Sequence, residues 1–120
     1  MKTSRMWAAA GCLLAGLSAS VEAQDTTFTL VNNTEFTVRS VYIWPVTTDY
    51  RGPDRLGTDY IPSGRSHTFR PLDDECRYNI RVTLTDSDDE FRTNGVDLCG
   101  LRKLTLYYDY EERDLRASVD

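Results

Sequence analysis

Histidine is almost missing from this sequence: His67 is the only one, beside three cysteines. One imidazole and a few distant thiols make a poor ligand set for structural zinc. No Cys-x-x-Cys spacing occurs, which argues against dithiol redox chemistry. No apolar run reaches 18 residues without a charge, so no transmembrane helix is expected. Positive charge is also scarce: Lys and Arg number 14 against 19 Asp and Glu, a net charge of −5. That argues against a duplex nucleic-acid binder, which needs a basic face to displace counterions, and against docking to an anionic membrane. Internal repeats and helical apolar stripes are absent too. What is present, 40% hydrophobic and 28% charged residues, is ordinary for a folded domain and too apolar for general disorder.

Residues 1–23 read as an export signal. Lys2 and Arg5 form a basic start, Met6 to Leu17 an apolar stretch, and Val21-Glu22-Ala23 a small-x-small cleavage site, with Gln24 as the first mature residue. Ala9-Ala10-Gly11-Cys12 resembles a lipobox only faintly, because too few apolar residues precede the cysteine. Without this segment about 97 residues remain, enough for one small domain. The expected location is secreted or periplasmic.

Cys12 leaves with the signal. Cys76 and Cys99 remain, and an oxidising compartment favours their union as a structural disulfide. The loop closed is about 24 residues, which contributes roughly 3 kcal/mol in the chain-entropy model.

The rest alternates with period two, the signature of strands. Phe28 and Leu30 alternate with Thr27 and Thr29, and Asn32-Asn33-Thr34 turns. Phe36 to Trp44 is β-branched and aromatic, but its apolar parity switches, which predicts a bulge near Arg39-Ser40 or burial on both faces. Residues 46–59 carry turn chemistry, with Leu56 and Tyr60-Ile61 as the apolar points. Pro62-Ser63-Gly64 predicts a tight turn with proline at its second position. Ser66 to Arg70 is a short strand. From Cys76 to Leu84 the odd and even residues separate cleanly: Cys76, Tyr78, Ile80, Val82 and Leu84 inward, Arg77, Asn79, Arg81 and Thr83 outward. Asp86 to Glu90 turns, Phe91 to Thr93 starts the return strand, and Val96 and Leu98 continue it. Leu101 to Tyr108 reads as the last strand. The fold class expected is all-β: a small antiparallel β-sandwich of about seven strands, immunoglobulin-like or an open barrel, with one disulfide. Residues 24–108 form the domain, and 109–120 read as a charged C-terminal tail with at most a turn or two of helix.

Several short pieces resemble a loose group of small exported bacterial β-domain proteins that have no assigned activity. They are Val31-Asn32-Asn33-Thr34, Thr37-Val38 with Val41-Tyr42, Leu56-Gly57, Ile61-Pro62-Ser63-Gly64, Cys76-Arg77-Tyr78-Asn79-Ile80-Arg81 and Val96-Asp97-Leu98-Cys99. The resemblance implies an all-β domain outside the cytoplasm with a disulfide, and supplies no catalytic residues. The strand and turn order is also similar to the β-domain of the von Hippel–Lindau protein, as fold analogy only.

Candidate sites are few. Ser66 and His67 are neighbours on a strand and face opposite ways, so a Ser-His nucleophile arrangement is not expected. Carboxylates are plentiful, but so small a sandwich seldom forms the cleft that glycoside hydrolysis needs. Asp86, Asp88 and Glu90 could offer calcium several oxygens, although the glycine of an EF-hand loop is missing; the plainer reading is a charged hairpin tip. Trp44, Tyr107, Tyr108 and Tyr110, with Tyr42, exceed what one core needs, since consecutive Tyr107 and Tyr108 cannot both point inward. Aromatic residues near arginines are typical interface anchors. Asn32-Asn33-Thr34 matches a glycosylation sequon, but a turn role explains it. The expectation is therefore a non-enzymatic exported binding protein with a protein partner, inhibitor or immunity-type, and no cofactor. The alternative is a calcium- or carbohydrate-binding accessory module.

Overall fold

The computed structural model describes residues 25–71 and 73–120; the expected export segment, with Cys12, lies outside them. Among the described residues seven strands follow one another: β1 (Phe28–Asn32), β2 (Val38–Pro45), β3 (Ser66–Phe69), β4 (Arg77–Leu84), β5 (Glu90–Asp97), β6 (Lys103–Asp109) and β7 (Asp114–Val119). They form two sheets, ordered β3-β1-β6-β7 and β2-β4-β5. The period-two alternation explains both. Phe28, Leu30, Leu104 and Leu106 line the inner face of the first sheet, Val41, Ile43, Tyr78, Ile80 and Val82 that of the second, and all nine are at most 2% exposed. Fully burying an aliphatic or aromatic side chain of this size contributes about 1.5–3 kcal/mol. Phe28 stacks on Phe69, closing the β1–β3 side.

The parity switch in β2 is a bulge. Val38 pairs with Leu84 and Ser40 with Thr83, so two steps on β2 match one on β4. Both Val38 and Val41 thereby enter the core. β5 carries a second bulge: Tyr78 pairs with Val96 but Ile80 with Thr93. Gly95 sits there at φ +78°, its N–H donating to Asn79 Oδ1, and an added Cβ would meet the Arg77 guanidinium at 2.9 Å.

Asn32 is fully buried and uses its whole amide. Its Nδ2 donates to the Phe36 and Ile61 carbonyls, and its Oδ1 accepts from the Thr34 N–H and hydroxyl. The sequon asparagine is thus a buried strut beneath a turn, inaccessible to glycan transfer. The outer edge of β2 is closed by the 46–60 loop. Asp54 Oδ1 accepts from the Val41 N–H, the Arg55 N–H donates to the Val41 carbonyl, and Arg55 Nη2 donates to the Ile43 carbonyl.

The Cys76–Cys99 disulfide is formed, with Cα atoms 5.1 Å apart. It ties the start of β4 to the segment that leads from β5 into β6.

Four sequence expectations need correction. Residues 109–120 are not a tail: β7 pairs with β6 from Leu104↔Val119 to Asp109↔Asp114. Asp109 builds the connecting turn, its Oδ1 accepting from the N–H groups of Glu111 and Glu112, and Leu115 is only 6% exposed. The charged residues that allowed a turn or two of helix serve a hairpin instead, where Arg116 reaches both Asp114 and Asp109. The sandwich is also not wholly antiparallel, because β1 and β6 run parallel, Leu30 opposite Leu104. The Pro62 turn is shifted by one residue: Arg65 N–H donates to the Pro62 carbonyl, so proline is first and Gly64, at φ +79°, is third. The return strand begins at Glu90 rather than Phe91.

Candidate partner-binding face

On the outward side of β2-β4-β5, pairing sets polar and aromatic side chains in a row. Tyr42 lies opposite Arg81, and Arg81 opposite Arg92. Trp44, two residues beyond Tyr42 on β2, shares its face. The 46–60 loop folds back so that the Arg51 guanidinium lies 4.1 Å from the centre of the Tyr42 ring, and Arg81 approaches the same ring at 5.8 Å. Glu90 completes the group. Arg81 donates to it twice, Nε to Oε1 at 3.1 Å and Nη2 to Oε2 at 2.9 Å, and Arg92 Nε donates to Oε1 at 2.5 Å. These donors, Arg81 before Arg92, pull the Glu90 carboxyl down to about 2. Between Trp44, Arg51, Arg81, Arg92 and Asn94 runs a groove of about 190 Å³. Arg92 is mostly exposed, its side chain at 70%.

The aromatic residues singled out from the sequence do not converge. Trp44 belongs to this groove. Tyr107 points outward from the other sheet, opposite Arg116. Tyr108 turns inward against Phe36 and Tyr110, and its hydroxyl donates to Asp89 Oδ2 at 2.9 Å. Tyr110 is exposed, yet its hydroxyl donates to Glu35 at 2.9 Å. In both, the accepting carboxylate favours the protonated phenol and raises its pKa. Tyr108 and Tyr110 therefore fasten the β6–β7 turn to neighbouring loops. Set against the expectation of one tyrosine-bearing face, this is a correction.

Asp86, Asp88 and Glu90 are not a prepared calcium cage either. Asp86 and Asp88 are exposed, Asp86 occupying the left-handed turn position at φ 59°, and Glu90 is already held by two arginines. Among the described residues, the converging trio of metal-type ligands is Cys76, Asp97 and Cys99, and both of its sulfurs are in the disulfide. His67 sits on β3 with its ring against Phe69, and the Ser63 hydroxyl donates to the Thr34 carbonyl. No helix of the described residues is long and apolar enough to cross a membrane.

The arginines were the residues missed. Arg81 was legible as outward-facing, but its meeting with Arg92, Arg51 and Tyr42 depends on strand register and on a loop closure that no spacing encodes.

The chain is a small disulfide-bonded all-β sandwich. No family model matches it, and no curated protein does. A solved structure, the NMR structure of a protein from Eubacterium rectale, is similar with a TM-score of 0.56 over 80% of this chain and 88% of that one, at 18% identity. At that identity the likeness establishes the fold alone.

Proposed function

We propose that this chain is an exported, non-enzymatic binding protein that recognises a protein partner, in the manner of an inhibitor or immunity protein, through the outer face of β2-β4-β5. The observation that carries the reading is the groove that Trp44 lines with three arginines, one of them stacked on Tyr42. Aromatic and arginine side chains dominate binding energy at protein interfaces because they combine large area with directional donors. Export is supported by the pattern of residues 1–23 and by a disulfide of the kind that persists outside the reducing cytosol.

One observation favours a second reading, a carbohydrate-binding module: the Trp44 indole borders the polar Asn94 and Thr93. Affinity capture from an envelope extract separates the two. A protein retained by the wild-type chain is expected to be lost on Trp44→Ala and kept on Tyr107→Ala, with unchanged circular dichroism for both. Capture indifferent to Trp44, or retention of glycan alone, refutes the protein-partner reading.

A further inference from the structure

We propose that the groove between Trp44 and Arg92 reads the carboxylates of an acidic peptide segment on the partner. This rests on the reading that the β2-β4-β5 face is where a partner docks, and it adds the chemistry of what docks there. Arg51, Arg81 and Arg92 place three positive charges around one groove, and Glu90 pairs with the last two, whereas the whole chain carries a net charge of −5. In this group arginines outnumber carboxylates, opposite to the balance of the whole chain. Glu90 already demonstrates the recognition: a single carboxylate takes two bonds from Arg81 and one from Arg92. The terminal nitrogens of Arg92 and the guanidinium of Arg51 have no hydrogen-bond partner among the described residues, and their planar forks match a second carboxylate.

A peptide suits the site better than a long polyanion. Screening limits charge effects to about 8 Å at physiological salt, so a short acidic segment senses the arginines. A longer polyanion would extend past the arginines onto a chain whose net charge is −5. Trp44 supplies an apolar wall for the segment's carbon skeleton. β5, which carries Arg92, is the last strand of its sheet, with β7 of the other sheet near it.

The test uses the full chain carrying Trp7→Phe, which leaves Trp44 as its only indole. The probes are acetyl-Gly-Glu-Leu-Glu-Gly-amide and its Gln-for-Glu counterpart. The Glu peptide is expected to change Trp44 emission saturably, the Gln peptide to bind at least about tenfold more weakly, and Arg51→Ala or Arg92→Ala to weaken Glu-peptide binding about tenfold each. Glu90→Gln is expected to tighten it several-fold, because the negative charge beside the free nitrogens of Arg92 is neutralised. Equal binding of the two peptides, no saturable change with either, or tighter binding of oligogalacturonate or of a thymidine decamer overturns the proposal. Partner capture that needs Trp44 but ignores Arg51→Ala, Arg92→Ala and high salt overturns this proposal and leaves the partner-binding reading standing. Capture that ignores Trp44 overturns the earlier reading instead.

Discussion

Two aromatic clusters of this molecule use similar residues in opposite ways. At the β6–β7 turn, Tyr108 and Tyr110 give their hydroxyls to Asp89 and Glu35 of their own chain. On β2, Tyr42 and Trp44 stand beside arginines, one of which is mostly exposed. An aromatic side chain whose polar end is spent on a neighbouring loop stabilises the fold; one flanked by donors with spare valence is ready for a ligand. Local composition does not distinguish them. What does is the sign of the nearest charge, acidic in the first cluster and basic in the second.

The comparison can be broken most severely at the disulfide, which ties β4 of the arginine-bearing sheet to the approach to β6. The Cys76→Ser, Cys99→Ser double variant is expected to lose roughly 3 kcal/mol in urea unfolding, with both clusters released in one transition. Separate transitions for Trp44 fluorescence and far-ultraviolet dichroism would show that the clusters belong to independent units.

The next largest effect comes from acid. Glu90 has its folded pKa depressed to about 2, so the stability it contributes is complete above the unfolded carboxylate value near 4.5 and is lost as pH falls through about 2. For a partly exposed pair this amounts to about 1 kcal/mol. Denaturation of wild type and Glu90→Gln at pH 6 and in the window between those two values checks it: the gap between them is expected to shrink at the lower pH. A constant gap would mean that the arginine row does not depend on the charge.

Tyr108→Phe sharpens the contrast directly. Losing the hydroxyl bond to Asp89 is expected to lower the melting temperature by a few degrees and to leave partner capture intact, whereas Trp44→Ala is expected to abolish capture and to cost less in melting temperature. The reverse pattern would exchange the two roles. Smallest of all, Arg116→Ala removes exposed pairings to Asp109 and Asp114 and is expected to leave the melting temperature almost unchanged in calorimetry, as for most surface ion pairs.

Much of the fold was legible because alternation leaves a local mark. The inward set of β4 and the bulge near Ser40 could both be read from parity, and the Cys76–Cys99 pair from counting. β7 was missed although Leu115 and Ala117 do alternate, because the acidic turn before them dilutes the pattern and hides its start. The candidate site was less legible. Trp44 was visible as a surplus aromatic residue, but the arginines around it come from β4, β5 and a long loop, up to 48 positions away. The aspartates of the 86–90 turn drew attention by density alone, and the geometry gives one of their neighbours, Glu90, to arginines instead.

By itself the sequence determined most of the strand segments before residue 109 and the core-facing side of β1 and β4, because these follow from period-two patterning. Only the tertiary structure decided that β1 and β6 run parallel, that residues 114–119 complete a sheet, and which aromatic rings meet arginine rather than carboxylate. Those outcomes depend on strand register and loop closure, where residues far apart in the chain come within hydrogen-bond reach, and no local pattern records such distances.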